Sequence, residues 1–185
     1  MIELVPVFFG LIGLFLLFLG LHVLCIKRVR PGEAGVRSGF GGMQITKDWL
    51  FRYPFLHRWN IMDIRVKKLK VSRKGKEALI CQDKNRVDIE VSFYLRVRPE
   101  YDAIKEVAET VGCEATSDPE FLRNLFEDKF IDALNAVAKQ MDCDLLHIQR
   151  SQFRGMIANE IGQDLGGYQL EDVAISYLEQ ANKGT

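Results

Sequence analysis

The chain has 185 residues, 25 Lys/Arg against 25 Asp/Glu, 48% hydrophobic residues and four cysteines. The cysteines, at 25, 81, 113 and 143 with no CxxC pair, exclude a disulfide framework of the secreted type, and the length suits one domain plus an appendage. The zero net charge hides a division: residues 27–98 hold 18 Lys/Arg against 7 Asp/Glu, a balance of +11, whereas residues 99–185 hold 7 against 17, a balance of −10.

The first element is an uncharged run from Leu4 to Ile26, followed at once by Lys27, Arg28 and Arg30. At about 1.5 Å per helical residue the run spans roughly 35 Å, enough to cross a hydrocarbon core about 30 Å thick. It is too long for a signal peptide, has no basic n-region in Met1-Ile2-Glu3, and ends in Leu24-Cys25-Ile26 rather than in small residues. Residues 1–26 are therefore expected to be a single transmembrane anchor. Because basic flanks stay cytoplasmic, the short N-terminus is expected outside and the rest of the chain inside the cell. Cys25, at the cytoplasmic end of the run, reads as an ordinary lipid-facing residue that is also within reach of acylation.

Beyond the anchor, Arg30-Pro31-Gly32-Glu33 predicts a turn into a short strand over 34–37, and Gly39-Phe40-Gly41-Gly42 a second turn. The stretch from Trp49 to Trp59 is rich in aromatic residues. Its side chains either fill a core or dip into the lipid headgroups, where Trp and Tyr favour the boundary between apolar and wet. The candidate contacts for anionic lipid are Lys27, Arg28, Arg30, Trp49, Arg52, Tyr53 and Trp59. Residues 64–72 read as a strand with a bulge at Lys67-Lys68, and 78–81 as a short strand. Arg86–Arg98 is the clearest strand, with Val87, Ile89, Val91, Phe93, Leu95 and Val97 alternating with polar residues.

Pro99 ends that alternation and the period becomes helical. Tyr101, Ile104, Ala108 and Val111 mark one helix, closed by Gly112. Asp118-Pro119 opens a second, whose apolar stripe is Phe126, Phe130, Leu134, Val137 and Met141. A short helix over 144–148 and another over 151–165 follow, the latter ended by Gly166-Gly167. Val173, Ile175 and Tyr177 then alternate in a last strand. The fold class is α+β, with an antiparallel sheet and packed helices behind the anchor. Residues 27–98 form its strand-rich basic part, 99–180 its helix-rich acidic part with a returning strand, and 181–185 a tail.

No catalytic constellation assembles. Ser38-Gly39-Phe40-Gly41-Gly42 lacks the Gly-Lys-Ser/Thr of a phosphate-binding loop, and neither GxSxG nor HExxH occurs. Cys143 and His147 are spaced for a shared helix face, but a zinc site needs two more ligands. The chain reads as a non-enzyme without cofactor or metal. Arg65, Lys67, Lys68, Lys70, Arg73, Lys74 and Lys76 raise nucleic-acid binding, but their strand alternation, the anchor and the acidic second half favour a wet strand face or lipid contact.

Three segments in order carry a family resemblance: Val29-Arg30-Pro31-Gly32-Glu33-Ala34-Gly35-Val36-Arg37 directly behind the anchor, Val71-Ser72-Arg73-Lys74-Gly75-Lys76-Glu77-Ala78-Leu79, and Asp83-Lys84-Asn85-Arg86-Val87-Asp88-Ile89-Glu90-Val91. With Leu145-Leu146-His147-Ile148-Gln149-Arg150-Ser151-Gln152-Phe153, the chain resembles the flotillin branch of the SPFH (band-seven, prohibitin-homology) superfamily, and within it the bacterial YqiK type. The resemblance covers residues 27–180. It implies a membrane-anchored scaffold that forms homo-oligomers, organises membrane microdomains, has no catalytic residues, and takes an NfeD-family membrane protein as partner. The alternative within the superfamily is a regulatory subunit of a membrane protease or transporter, as in the HflK/C and stomatin branches. The family's usual Gly and Pro arrangement after the first strand is replaced here by Asp48-Trp49-Leu50-Phe51-Arg52-Tyr53-Pro54. The family also continues into an Ala- and Glu-rich coiled coil, so a chain ending at Thr185 is a fragment or a minimal member.

Overall fold

A computed structural model of the chain describes residues 12–17, 20, 26–39, 42–51, 57–162 and 165–180. Most of the expected spanning helix lies outside the described residues. Residues 12–17 and 20 are helical, and among the described residues no helix is long and apolar enough to cross a membrane. Ile26, the last residue of the uncharged run, opens a strand and pairs with Phe51. The chain divides into two compact units, Met1–Met62 and Asp63–Thr185, a division that does not follow the charge boundary at 98/99.

The first unit is built from short strands: β1 (Ile26–Arg28), β2 (Glu33–Gly39), β3 (Gln44–Thr46), β4 (Trp49–Phe51) and β5 (His57–Asp63). β1 and β4 form an antiparallel ribbon, and β3-β2-β5 a three-stranded sheet. The turn between β1 and β2 works because Pro31 fixes one φ while Gly32 takes φ 85°, which lets the Glu33 amide donate to the Arg30 carbonyl at 3.0 Å. Among the described residues of this unit, Val29, Ala34, Val36 and Met62 are the buried apolar side chains.

The second unit is one sheet covered by helices. Its strands are β6 (Lys67–Arg73), β7 (Leu79–Ile80), β8 (Arg86–Val97) and β9 (Tyr168–Gln180); its helices are α1 (Tyr101–Thr110), α2 (Pro119–Ala138), α3 (Cys143–Ile148) and α4 (Arg150–Ile161). β8 is central, antiparallel to β6, β7 and β9. The alternation read from the sequence puts Val87, Ile89, Val91, Phe93, Leu95 and Val97 in the core. Asp118 caps α2 by accepting from the Glu120 amide at 2.9 Å, with Pro119 at the first turn. The stripe Phe126, Phe130, Leu134, Val137 and Met141 is buried in full. Phe130 stacks on Phe93 at 4.2 Å between ring centroids, and Phe126 meets the edge of Tyr168 at 5.2 Å.

Three sequence expectations need correction. The supposed bulge at Lys67-Lys68 is a break: β5 ends at Asp63, and β6 starts at Lys67. The helix expected to reach Leu165 stops at Ile161, where Gly162 takes φ 75°. Gly166 and Gly167 instead form the turn into β9, and Gly167 is needed for close approach, since a Cβ there would sit 2.6 Å from Val107 Cγ2. The alternation Val173, Ile175, Tyr177 does not mark the buried face of β9. Its register with β8 shifts at Glu90/Val91 and at Tyr94/Leu95, so β9 uses extra residues, and the buried positions become Tyr168, Val173 and Leu178.

Candidate membrane-proximal surface

The register of β1 with β4 brings together residues that are far apart in sequence. Lys27 stands opposite Leu50 and Arg28 opposite Trp49, and the Val29 amide donates to the Asp48 carbonyl at 3.0 Å. Three of the seven candidate lipid contacts, Lys27, Arg28 and Trp49, therefore share one two-stranded ribbon. Arg30 is exposed at the turn that follows. Upstream, the helical residues Ile12, Leu14, Phe15, Leu16 and Leu17 are all exposed although apolar. Such a run with basic residues and a Trp behind it has the composition of a membrane entry.

Trp59 occupies a different setting. It lies on β5, half-buried, and its indole crosses Gly35: a Cβ on Gly35 would meet Trp59 Nε1 at 3.0 Å and Val29 Cγ2 at 3.1 Å. Gly35 is thus the residue that lets the indole pack onto β2. Arg52 and Tyr53 lie outside the described residues.

The basic residues of the second unit are largely engaged with carboxylates of that unit. Asp63 accepts from the Arg65 backbone amide at 3.0 Å, from Arg65 Nε at 2.9 Å, and from Lys67 Nζ. The Arg65 guanidinium holds the Asp63 carboxyl well below the usual carboxylate range, against a smaller opposing effect of burial. Glu90, on β8, takes Lys70 at 2.8 Å and Lys74 at 3.6 Å, and the bond from Lys70 lowers its pKa. Arg73 pairs with Glu77 at 3.1 Å, while Lys74 also sits 4.4 Å over the Tyr177 ring. Lys68 and Lys70 lie on the wet face of the sheet, whereas Lys67 and Arg73, at the two ends of β6, are in phase with the buried Leu69 and Val71. Asp63 is the residue that sequence reading missed; its signal was the Asp-x-Arg-x-Lys spacing, which lets one carboxylate collect two following cations.

Cys25 lies outside the described residues, and the other three thiols, those of Cys81, Cys113 and Cys143, are free and buried. Burial pushes the Cys81 thiol up to about 12 and raises the other two. Cys143 is buried while His147 is exposed, so the pair does not present one ligand face. Among the described residues no group of three His, Cys, Asp or Glu side chains is placed to hold a metal. Beside α4, a groove along β9 holds cavities of about 480, 200 and 240 Å³, lined by small and arginine side chains and by both faces of the strand.

Comparison with known proteins gives this architecture a family. The model of the SPFH domain / Band 7 family matches residues 27–180. The flotillin family inner membrane protein YqiK of Escherichia coli (strain K12) is 36% identical over 160 residues, which is 85% of this chain and 29% of that protein. The flotillin family inner membrane protein sll1021 of Synechocystis sp. is 26% identical over 131 residues, 70% of this chain and 20% of that protein. The chain spans less than a third of the length of either relative. With the motif order, the α+β architecture and a family match over nearly all residues beyond the apolar run, the chain belongs to the SPFH domain / Band 7 family as a flotillin-like member.

Proposed function

We propose that the chain is a membrane-anchored, self-associating scaffold of the flotillin type, which organises membrane microdomains and recruits membrane proteins without catalysing a reaction. The observation that carries this reading is the join at residues 26–28: an uncharged run with exposed apolar helical residues passes directly into a ribbon that sets Arg28 opposite Trp49. The relatives' names as inner membrane proteins support the membrane assignment. In this reading residues 4–26 cross the bilayer once, with the short N-terminus outside and residues 27–180 cytoplasmic. Lys27, Arg28, Arg30, Trp49, Arg52 and Tyr53 face anionic headgroups, and the partners are further copies of the chain and an NfeD-family membrane protein.

A reporter fused after Thr185 tests the topology. Cytoplasmic activity is expected; activity on the opposite side overturns the orientation and favours the protease-regulator branch. Sedimentation of the detergent-solubilised chain tests the scaffold itself, because a species that stays monomeric at high concentration is incompatible with it.

A further inference from the structure

The sheet of the second unit ends in two strands of opposite charge. β6 carries four cationic side chains and no acid, while β9 carries three carboxylates and no base. Among the described strands each pairs only with β8, so each presents an outer backbone edge with no ladder on it. A long edge strand is a template for adding another strand.

The helices beside the two edges are complementary as well. Along the β9 groove, α4 shows Ser151, Gly155 and Ala158, spaced to lie on one flank, with Gly162 just past its end, and a Cβ on Gly155 would meet nothing within 4 Å. This flank is separate from the buried stripe Phe153, Ile157 and Ile161. On the β6 side, α2 shares a cavity with Arg73 through Asp132, and helical spacing puts Phe121 and Leu125 on that same flank, 41% and 47% exposed. One edge thus offers protruding apolar side chains, and the other a flank of small ones.

We propose that the β6 edge of one copy adds to the β9 edge of the next, so that one sheet continues through successive copies of the chain. This rests on the self-association reading above and names its interface. Both strands run antiparallel to β8, so the new pair is parallel. Within one sheet Lys68 stands opposite Tyr94, and Tyr94 opposite Asp172. A copy added at the same level therefore sets its Lys68 beside Asp172 of its neighbour and its Phe121 and Leu125 against the small-residue flank of α4. The contact is head-to-tail, which repeats until the array closes or runs on.

The test is sedimentation of the full chain in detergent, as wild type, Lys68→Glu, Asp172→Lys, the Lys68→Glu/Asp172→Lys double variant, and Gly155→Leu, with circular dichroism to verify folding. Each single charge reversal is expected to weaken association by about tenfold or more, and the charge-swapped double variant to recover it. Gly155→Leu, which points into open space in one copy, is expected to block assembly while the melting curve stays unchanged. If folded variants assemble as tightly as the wild type, this interface is wrong and self-association stands. If the wild type is monomeric, both fall together.

Discussion

Gly167 lies so close to α1 that a Cβ on it would come within 2.7 Å of the Ala103 carbonyl oxygen, and it holds φ 82° there. Its own carbonyl accepts from the Arg98 amide at 2.9 Å, so the entry to β9 is fixed to the exit of β8 and to α1 at once. Gly167→Ala combines an unfavourable backbone conformation with a clash against main chain, and we expect it to cost about 2 kcal/mol or more. Urea unfolding checks this. Gly155→Ala, on the open flank of α4, is the control and should be neutral or slightly stabilising.

The stacked rings of Phe93 and Phe130 join the central strand to the longest helix, and both side chains are fully buried. Phe130→Ala removes a ring that also packs on Phe126 at 5.9 Å between centroids. The expected loss is about 3 to 5 kcal/mol, enough to unfold a marginal domain. Phe130→Leu, which keeps more of the volume, should lose less than half as much in the same unfolding assay.

Asp63 contributes acid sensitivity to the fold. Its pKa is lowered in the folded state, so it binds fewer protons there than in the unfolded chain. Its contribution is therefore fully present above the ordinary aspartate value of about 3.9 and is lost as the pH falls below it. Asp63→Asn should cost about 2 kcal/mol at pH 7 through its weakened bonds to Arg65 and Lys67, and the gap to wild type should narrow below pH 4. Stability measured from pH 7 downward tests this; a gap that stays constant with pH rules out the ion pair as the cause.

The two tryptophans should report different surroundings. Trp59 packs over Gly35, whereas Trp49 sits on the ribbon that follows the apolar run. In bilayers containing brominated lipid, the Trp59→Phe variant, with Trp49 as its only tryptophan, should be strongly quenched. The Trp49→Phe variant should be quenched much less. Equal quenching would show that Trp59 also reaches lipid.

What the sequence made legible followed from unbroken periodicity. β8 alternates without error and α2 repeats its apolar residues at helical spacing, so both elements and their buried faces were readable from residue order. β9 was readable as a strand but not by face, because two register shifts change which residues point inward. The end of α4 was misplaced because three glycines, at 162, 166 and 167, all suit a terminator, and only contact with α1 gives Gly167 its separate role. Of the candidate lipid contacts, strand pairing gathers Lys27, Arg28 and Trp49, a relationship without a local sequence signal.

The two bulges in β9 also change how that strand tolerates substitution. Tyr168, Val173 and Leu178 recur every fifth residue, a period belonging to neither helix nor regular strand. Each bulge acts as a joint that resets the phase, so the strand behaves as three short rods that bend around the helices rather than one stiff rod. Pressure to stay apolar falls on only those three places among thirteen residues. The positions between them are left available to evolve the charge and shape of the edge without disturbing the interior.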